Sequence, residues 1–369
     1  MSLSSSELEK QQLSEIRDQI DAIDEQIQTL ITQRAACAQK VADIKTQGGQ
    51  VEAVFYRPER EAQVLRAVKD RNQSLLSDND MARLFREIMS VCLALEQPMK
   101  VAYLGPEGSY THAATIKQFG SFVQPHAVST IDDVFKAVES GRVNYGMVPV
   151  ENSTEGVVNA TQDNLIRMRA HVTGEVDLAI HHCLLSKSSE MSNIKKVVAH
   201  AQALGQCRVW LKNNLPGVEL EAVDSNALAA KMAQQDESLA AIASEQAAGL
   251  YQLRILKSHI EDARDNTTKF WVIGMDSPGA SGQDKTALVL SMTNKAGALV
   301  DILSSFAKRN LSMTRIVSRP SSNKKWDYVF FIDIAGHQTD PLVAEALQEV
   351  EQQASFFKLL GSYPMSPLD

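Results

Sequence analysis

Arg17, Arg34 and Lys45 are cations set into a stretch that is otherwise apolar at steps of three and four: Leu13, Ile16, Ile20, Ile23, Ile27, Leu30, Ile31, Ala38, Val41 and Ile44. Guanidinium and ammonium groups hold carboxylates and stabilise negative charge as it grows on an oxygen. At about 100° per residue, Arg34 and Lys45, eleven positions apart, share one helix face. Arg17 is seventeen positions from Arg34, so it lies roughly 25 Å away and points off that face. It cannot enter the same small pocket within one chain, but a second protomer could supply it. Spacing alone favours three solvated surface charges over a site.

Two further groups of residue types could do chemistry. Gly105-x-x-Gly108-Ser109 could cradle a phosphate, but it lacks the Lys-Ser/Thr pair of a nucleotide loop. Asn152, Ser153 and Thr154, and later Asn266-Thr267-Thr268-Lys269-Phe270, gather amide and hydroxyl side chains. Single Ser and Thr residues also cap helices and form turns, and that is the reading preferred for Thr267. His181, His182 and His200 have the right chemistry for acid–base work, and are read as structural.

The elements that must carry these residues change character twice. From about Leu8 to Gln97 the pattern is helical, with no Gly or Pro before Gly48-Gly49, so one helix exceeds thirty residues. Such a helix needs partner helices, here expected from a second chain. Gly48 to Tyr56 reads as a loop, Pro58 opens a second helix ending near Arg71, and a third starts at Ser77-Asp78. The third should bury one face made of Met81, Leu84, Phe85, Ile88, Cys92 and Leu95. After Pro98, strand-like runs at 101–104, 146–150, 180–185, 197–199, 240–243 and 270–273 alternate with helical patterns, which argues an α/β domain. Ser277 to Asp284 is rich in Gly, Pro and Ser and reads as a linker. The remainder follows a βαββαβ order, with a polar turn between its second and third strands, and fits a ferredoxin-like sandwich.

Composition narrows the classes. At 369 residues, two to four domains are expected. No run approaches about 18 apolar residues, so no membrane partner is expected, and the N-terminus lacks a secretory pattern. A formal net charge of -8 argues against nucleic acid as a partner. Cys37, Cys92, Cys183 and Cys207 are scattered, which argues against disulfides or a metal site and suits reduced thiols in the cytoplasm.

The run Ile16-Arg17-Asp18-Gln19-Ile20-Asp21-Ala22-Ile23-Asp24, then Arg34, Lys45 and Arg57-Pro58-Glu59-Arg60-Glu61, resembles the all-helical chorismate mutases. The resemblance implies an intertwined homodimer with two pockets. In each, Arg34 and the other protomer's Arg17 would hold the two carboxylates of chorismate. Lys45 would donate to the ether oxygen, Glu61 would accept from the ring hydroxyl, and Arg60 would support that corner. Chorismate to prephenate is a pericyclic step, so it needs compression of a dianion and charge stabilisation but no nucleophile. Three positions depart from the commoner pattern: Arg57 stands for an Asp, Glu96 for a Gln that donates to the ether oxygen, and Cys92 for a Ser.

Ala102-Tyr103-Leu104-Gly105-Pro106-Glu107-Gly108-Ser109-Tyr110-Thr111 resembles the opening of prephenate dehydratases. The likeness continues through Val148 to Gly156, His200-Ala201-Gln202-Ala203-Leu204, Asp224-Ser225-Asn226 and Asn266 to Phe270. It implies two lobes with the site in their cleft, Thr268 near the departing hydroxyl, and Asn152, Ser153 and Thr154 on the wall. Gly297-Ala298-Leu299-Val300 and Ser318-Arg319-Pro320 resemble the phenylalanine-binding motifs of ACT domains attached to those dehydratases, with Val317 where a Glu is common. The first motif falls where a strand meets a helix, where free N–H groups can hold a carboxylate.

The resulting expectation is multidomain. An all-α mutase domain takes residues 1–97 and a two-lobed α/β, periplasmic-binding-protein-like dehydratase domain takes 98–276. A linker spans 277–284, and an α+β ferredoxin-like ACT domain spans 285–369. Substrates are chorismate and prephenate, the effector is L-phenylalanine, and no cofactor is implied. The rival readings are a solute binder without catalysis, a transcription regulator with an amino-acid sensor, and a dehydratase acting on arogenate.

Overall fold

The computed structural model describes residues 5–47, 56–263, 265–293, 295–320 and 328–368. Residues 48–55 of the expected Gly48–Tyr56 loop, and residues 321–327 of the expected polar turn, lie outside them.

Three helices form the first unit: α1 (Ser5–Gln47), α2 (Pro58–Arg71) and α3 (Asp78–Glu96). α2 begins on Pro58, carries Glu59 and Glu61 in its first turn and Lys69 and Arg71 in its last, and so complements its own dipole. Ser77 caps α3 by accepting from the Asp80 backbone N–H at 3.1 Å. Among the described residues, the partly buried positions of α1 lie in its C-terminal half, where Arg34 donates to the Ile88 carbonyl of α3 at 3.4 Å. Its other half carries Leu13, Ile16, Ile20, Ile23, Ile27 and Leu30 at alternating three- and four-residue steps, each between 47% and 63% exposed. That is a coiled-coil seam with no occupant among the described residues.

The face expected of α3 is corrected by the structure. Ala82, Arg86, Ser90 and Cys92 are its buried residues, whereas Leu84 and Leu95 are more than half exposed. α3 is gripped from two sides, by α1 and by the next unit, so its buried surface is not one apolar stripe. Phe122 N–H donates to Ser90 Oγ, and Ser121 N–H to Glu87, across that second contact.

The second unit has two lobes. The first holds β1 (Lys100–Leu104), β2 (Gln124–Val128), β3 (Tyr145–Asn152), β4 (Gly156–Val157), β5 (His171–Ala179) and β11 (Thr267–Gly274), with helices α4 (Tyr110–Phe119), α5 (Ile131–Glu139) and α6 (Asn159–Arg167). Its order is β2-β1-β3-β11-β5, with β4 on β3. The second lobe holds β6 (Cys183–Ser186), β7 (Lys196–His200), β8 (Glu219–Val223), β9 (Leu239–Ala243) and β10 (Arg254–Lys257), ordered β10-β6-β9-β7-β8. Its helices are α7 (Ala201–Gln206), α8 (Arg208–Asn214), α9 (Asn226–Gln235) and α10 (Glu245–Leu250). The chain crosses between lobes at 180–182 and again at 258–266. The strand expected at 180–185 is therefore shortened to Cys183–Ser186. Ile180 and His182 donate their N–H groups to the Asn266 carbonyl and the Glu261 carboxylate instead of to the second lobe's ladder.

The third unit comprises β12 (Asp284–Ser291), α11 (Ala298–Ala307), β13 (Met313–Pro320), β14 (Tyr328–Ala335), α12 (Pro341–Gln353) and β15 (Phe356–Pro364), in an antiparallel sheet ordered β13-β14-β12-β15. One face packs Leu288, Leu290, Ile332 and Ile334 against Ile302, Phe306, Val343 and Val350 of the two helices. The other face joins Ala287, Val289, Phe331 and Tyr363 to Val172, Trp271 and Ile273 of the first lobe in one core. The segment read as a linker is consequently held in place. Asp284 opens β12, Ser281 and Asp284 are buried, and Arg66 of α2 donates to Ser281, Gln283 and Met365 carbonyls.

Candidate active sites

A first cavity of about 780 Å³ lies where α1, α2 and α3 meet. Arg34 and Lys45 reach it from α1, Arg60 and Glu61 from α2, and Cys92 and Glu96 from α3. Helical spacing explains the convergence, since Arg34, Cys37, Ala38, Val41 and Lys45 form one stripe of α1 along its wall. Arg57 also lines it, placing a cation where the commoner family pattern has an Asp. Arg17 stands on the exposed half of α1, away from the cavity. Burial pushes the Glu96 carboxyl above its ordinary range, while Lys45 and Arg34 pull it back. Burial also raises Glu61, opposed by Arg86, whose Nε lies 3.1 Å from Glu61 Oε1.

A second cavity of about 390 Å³ opens between the two lobes of the α/β unit. Antiparallel pairing of β3 and β11 sets Asn152 directly opposite Thr268. Asn152 Nδ2 donates to Thr268 Oγ1 and to Asn266 Oδ1, both at 2.8 Å. Because Thr268 Oγ1 is already an acceptor there, its own O–H remains to donate. Asn152 Oδ1 accepts from the Thr154 and Glu155 N–H groups, which folds the turn after β3. Ser153 Oγ donates to the Asp265 carbonyl and accepts from Thr267 N–H. Ser153 and Thr154 thus staple this turn and stand outside the cavity lining, contrary to their expected place on the wall.

The remaining wall was not anticipated. The N-termini of α4 and α9, capped by Ser109 and Ser225, contribute Tyr110, Thr111 and Asn226 to the cavity. Among the described residues that line it there is no Lys or Arg, so helix N-terminal N–H groups, side-chain amides, hydroxyls and His200 are the groups available to hold an anion. A serine immediately before each helix was the usable signal. His182 is buried, with Nδ1 2.7 Å from the Tyr110 hydroxyl and Nε2 2.8 Å from Gln206 Oε1; burial lowers its pKa. His181 pairs with Glu261 at 2.8 Å, and His259 joins them so that three ligating atoms lie within 4.8 Å. His200 is exposed and caps α7.

In the third unit, Gly297 takes φ 85° at the start of α11, Ala298 is buried, Leu299 is half-buried and Val300 is 65% exposed. Ser318, Arg319 and Pro320 end β13. Arg319 does not point to free solvent: its Nη2 lies 2.6 Å from Asp163 of α6 and its Nη1 donates to the Asn159 carbonyl. Four residues earlier on the same face of β13, Arg315 bonds Glu151 at 2.9 Å, next to Asn152 on β3. Lys358 of β15 donates to carbonyls of Leu165, Ile166 and Met168 at the end of α6.

Comparison with known proteins follows this division. Family profiles for chorismate mutase type II, prephenate dehydratase and the ACT domain match residues 16–97, 101–278 and 286–352. A bifunctional chorismate mutase/prephenate dehydratase of Pseudomonas aeruginosa is 50% identical over 363 residues, covering 98% of this chain and 100% of that one. Among solved structures, a prephenate dehydratase from Arthrobacter aurescens in complex with L-Phe superposes with a TM-score of 0.66 at 32% identity. It covers 72% of this chain and 90% of that chain. GqqA, described as a quorum-quenching acylase, has a TM-score of 0.67 at 28% identity over 73% of this chain and 98% of that chain. With half of its residues shared along the whole length of such a relative, this chain belongs to the family of bifunctional chorismate mutases/prephenate dehydratases.

Proposed function

We propose that the chain rearranges chorismate to prephenate in the helical pocket and converts prephenate to phenylpyruvate in the interlobe cleft, under feedback by L-phenylalanine at the ACT unit. The convergence of Arg34, Lys45, Arg60, Glu61 and Glu96 on one cavity carries the first half. Arg34 takes one carboxylate of the folded dianion, and Arg17 of the partner subunit takes the other. Lys45 and a protonated Glu96 donate to the ether oxygen, which gains negative charge as its bond to the ring breaks. The empty seam on α1 supports a homodimer in which each α1 completes the other's pocket.

In the cleft, the Thr268–Asn152 pair supports the second half. Asn152 fixes the Thr268 oxygen, and the Thr268 O–H donates to the ring hydroxyl as it leaves. The ring carboxylate departs as CO₂, its electron pair aromatises the ring, and the hydroxyl leaves as hydroxide to be protonated by solvent. Helix N-termini hold the side-chain carboxylate. The decisive experiment incubates purified protein with chorismate and follows prephenate and phenylpyruvate. Appearance of prephenate without phenylpyruvate, with arogenate turned over instead, would replace the second substrate.

A further inference from the structure

Glu61 is the least exposed carboxyl of the mutase pocket, and two residues outside the expected site enclose it. Arg86 of α3, only 4% exposed at its side chain, brings Nε to 3.1 Å from Glu61 Oε1, which is itself 14% exposed. Arg86 Nη1 meanwhile donates to the Lys117 and Gln118 carbonyls at the C-terminal turn of α4, in the dehydratase lobe. A helix C-terminus favours a cation, so this guanidinium is fixed from its far side. Tyr56, also on the pocket wall, is buried with its ring 5.4 Å from Phe119 and 5.3 Å from Tyr145 of that lobe. Its hydroxyl accepts from Gln118 Nε2 at 3.3 Å, which leaves its own hydrogen for the Glu61 carboxyl within reach.

We propose that Arg86 and Tyr56 are positioning residues of the mutase, anchored in the dehydratase lobe, that hold Glu61 as an ionised, correctly aimed acceptor for the substrate's ring hydroxyl. This rests on the reading of Glu61 given above. A buried carboxyl without such partners would take up a proton and become a poorer acceptor. Other charged or titratable groups line the same cavity: Arg34 and Lys45 from α1, Arg57 and Arg60 beside it, and Glu96 from α3. Arg86 is ion-paired to it at 3.1 Å, and the Tyr56 hydroxyl hydrogen-bonds it. α4 then serves both reactions, because its first residues Tyr110 and Thr111 line the dehydratase cleft while its last turn holds Arg86.

The test measures mutase kcat/KM against pH in the full-length protein. Arg86→Met, Arg86→Lys, Tyr56→Phe and Glu61→Gln are compared, each also in a Glu96→Gln background that removes the other titrating carboxyl. Burial already raises Glu61, and Arg86 and Tyr56 lower it, so deleting either must raise it further. The acid limb of Arg86→Met should move to higher pH by about one unit, a tenfold loss on that limb with recovery at alkaline pH. Tyr56→Phe should move it the same way by less, and Arg86→Lys should restore it. A merely structural role predicts a uniform loss at every pH, which would overturn the proposal. Should Arg86→Met fail to fold by its melting curve, Tyr56→Phe decides alone, and an unmoved limb there overturns it. If Glu61→Gln keeps wild-type activity, the reading of Glu61 falls and takes this inference with it. If Glu61→Gln is inactive while the limbs of Arg86→Met and Tyr56→Phe stay in place, only the inference is wrong.

Discussion

Charging the empty seam of α1 should abolish the mutase and spare the dehydratase. Ile20 and Ile23 sit at its centre and are 50% and 53% exposed within one chain. Fully burying such a side chain is worth roughly 1.5–3 kcal/mol, so covering the remaining half contributes about 1 kcal/mol each. Two residues on each of two protomers then supply about 4 kcal/mol to the pairing of two α1 helices. In the double variant Ile20→Asp, Ile23→Asp this is lost, and four carboxylates would have to be desolvated besides. Pairing should weaken by about a thousandfold or more, since each 1.4 kcal/mol is a factor of ten. The assay is specific activity for both reactions over a dilution series, with helicity checked by circular dichroism. Mutase activity should fall and recover only at high protein concentration, while phenylpyruvate formation from added prephenate stays near wild type. Mixing Arg17→Ala with Lys45→Ala protein gives the converse check, because a hybrid dimer has one intact site. A folded double variant with wild-type mutase activity at every dilution would refute the shared site.

Thr268→Ala should lower dehydratase kcat by about a hundredfold or more while the mutase continues, so that prephenate accumulates from chorismate; Thr268→Ser should be milder. Glu96→Gln should flatten the mutase pH profile on its alkaline side. Glu96 donates only when protonated, and burial raises its pKa, so the donor is present below that value and lost as pH rises through it; coincident profiles would remove Glu96 from the mechanism. Calorimetry should show L-phenylalanine binding to the full chain, and a substrate analogue that favours the active state should weaken it reciprocally. Asp163→Asn, which removes the carboxylate paired with Arg319, should change that coupling without touching the cleft.

The helices and buried strands were legible because their patterns are local. α1 announces itself by six apolar residues at heptad steps and no helix breaker, and the termini of α2 and α3 by Pro58 and Ser77. β2, β8 and β10 were not legible, because edge strands with largely exposed residues carry no apolar alternation. β5 was missed for another reason. It buries Thr173 and Glu175, the latter paired with Lys269 and Lys285, so its inward face is polar at the junction of two units.

The same distinction governs the sites. Arg34 and Lys45 could be joined by arithmetic on one helix, and the exclusion of Arg17 followed from the same arithmetic. No spacing rule joins Arg86 to Glu61, or Arg319 to Asp163, because each pair spans two elements whose relative placement is set by tertiary packing. Arg86 looked like one more charge on a helix with a different apolar face, yet it is among the most buried cations described. A cation can be so placed only if its partners are fixed beforehand, since removing one of them would strand a buried charge at a cost of about 3–5 kcal/mol. The partners here are a carboxylate lining the helical cavity and the end of a helix whose other end opens into the interlobe cleft. Fusion of the two enzymes has therefore gone beyond tethering: the packing that joins the domains also sets the electrostatics of the mutase pocket.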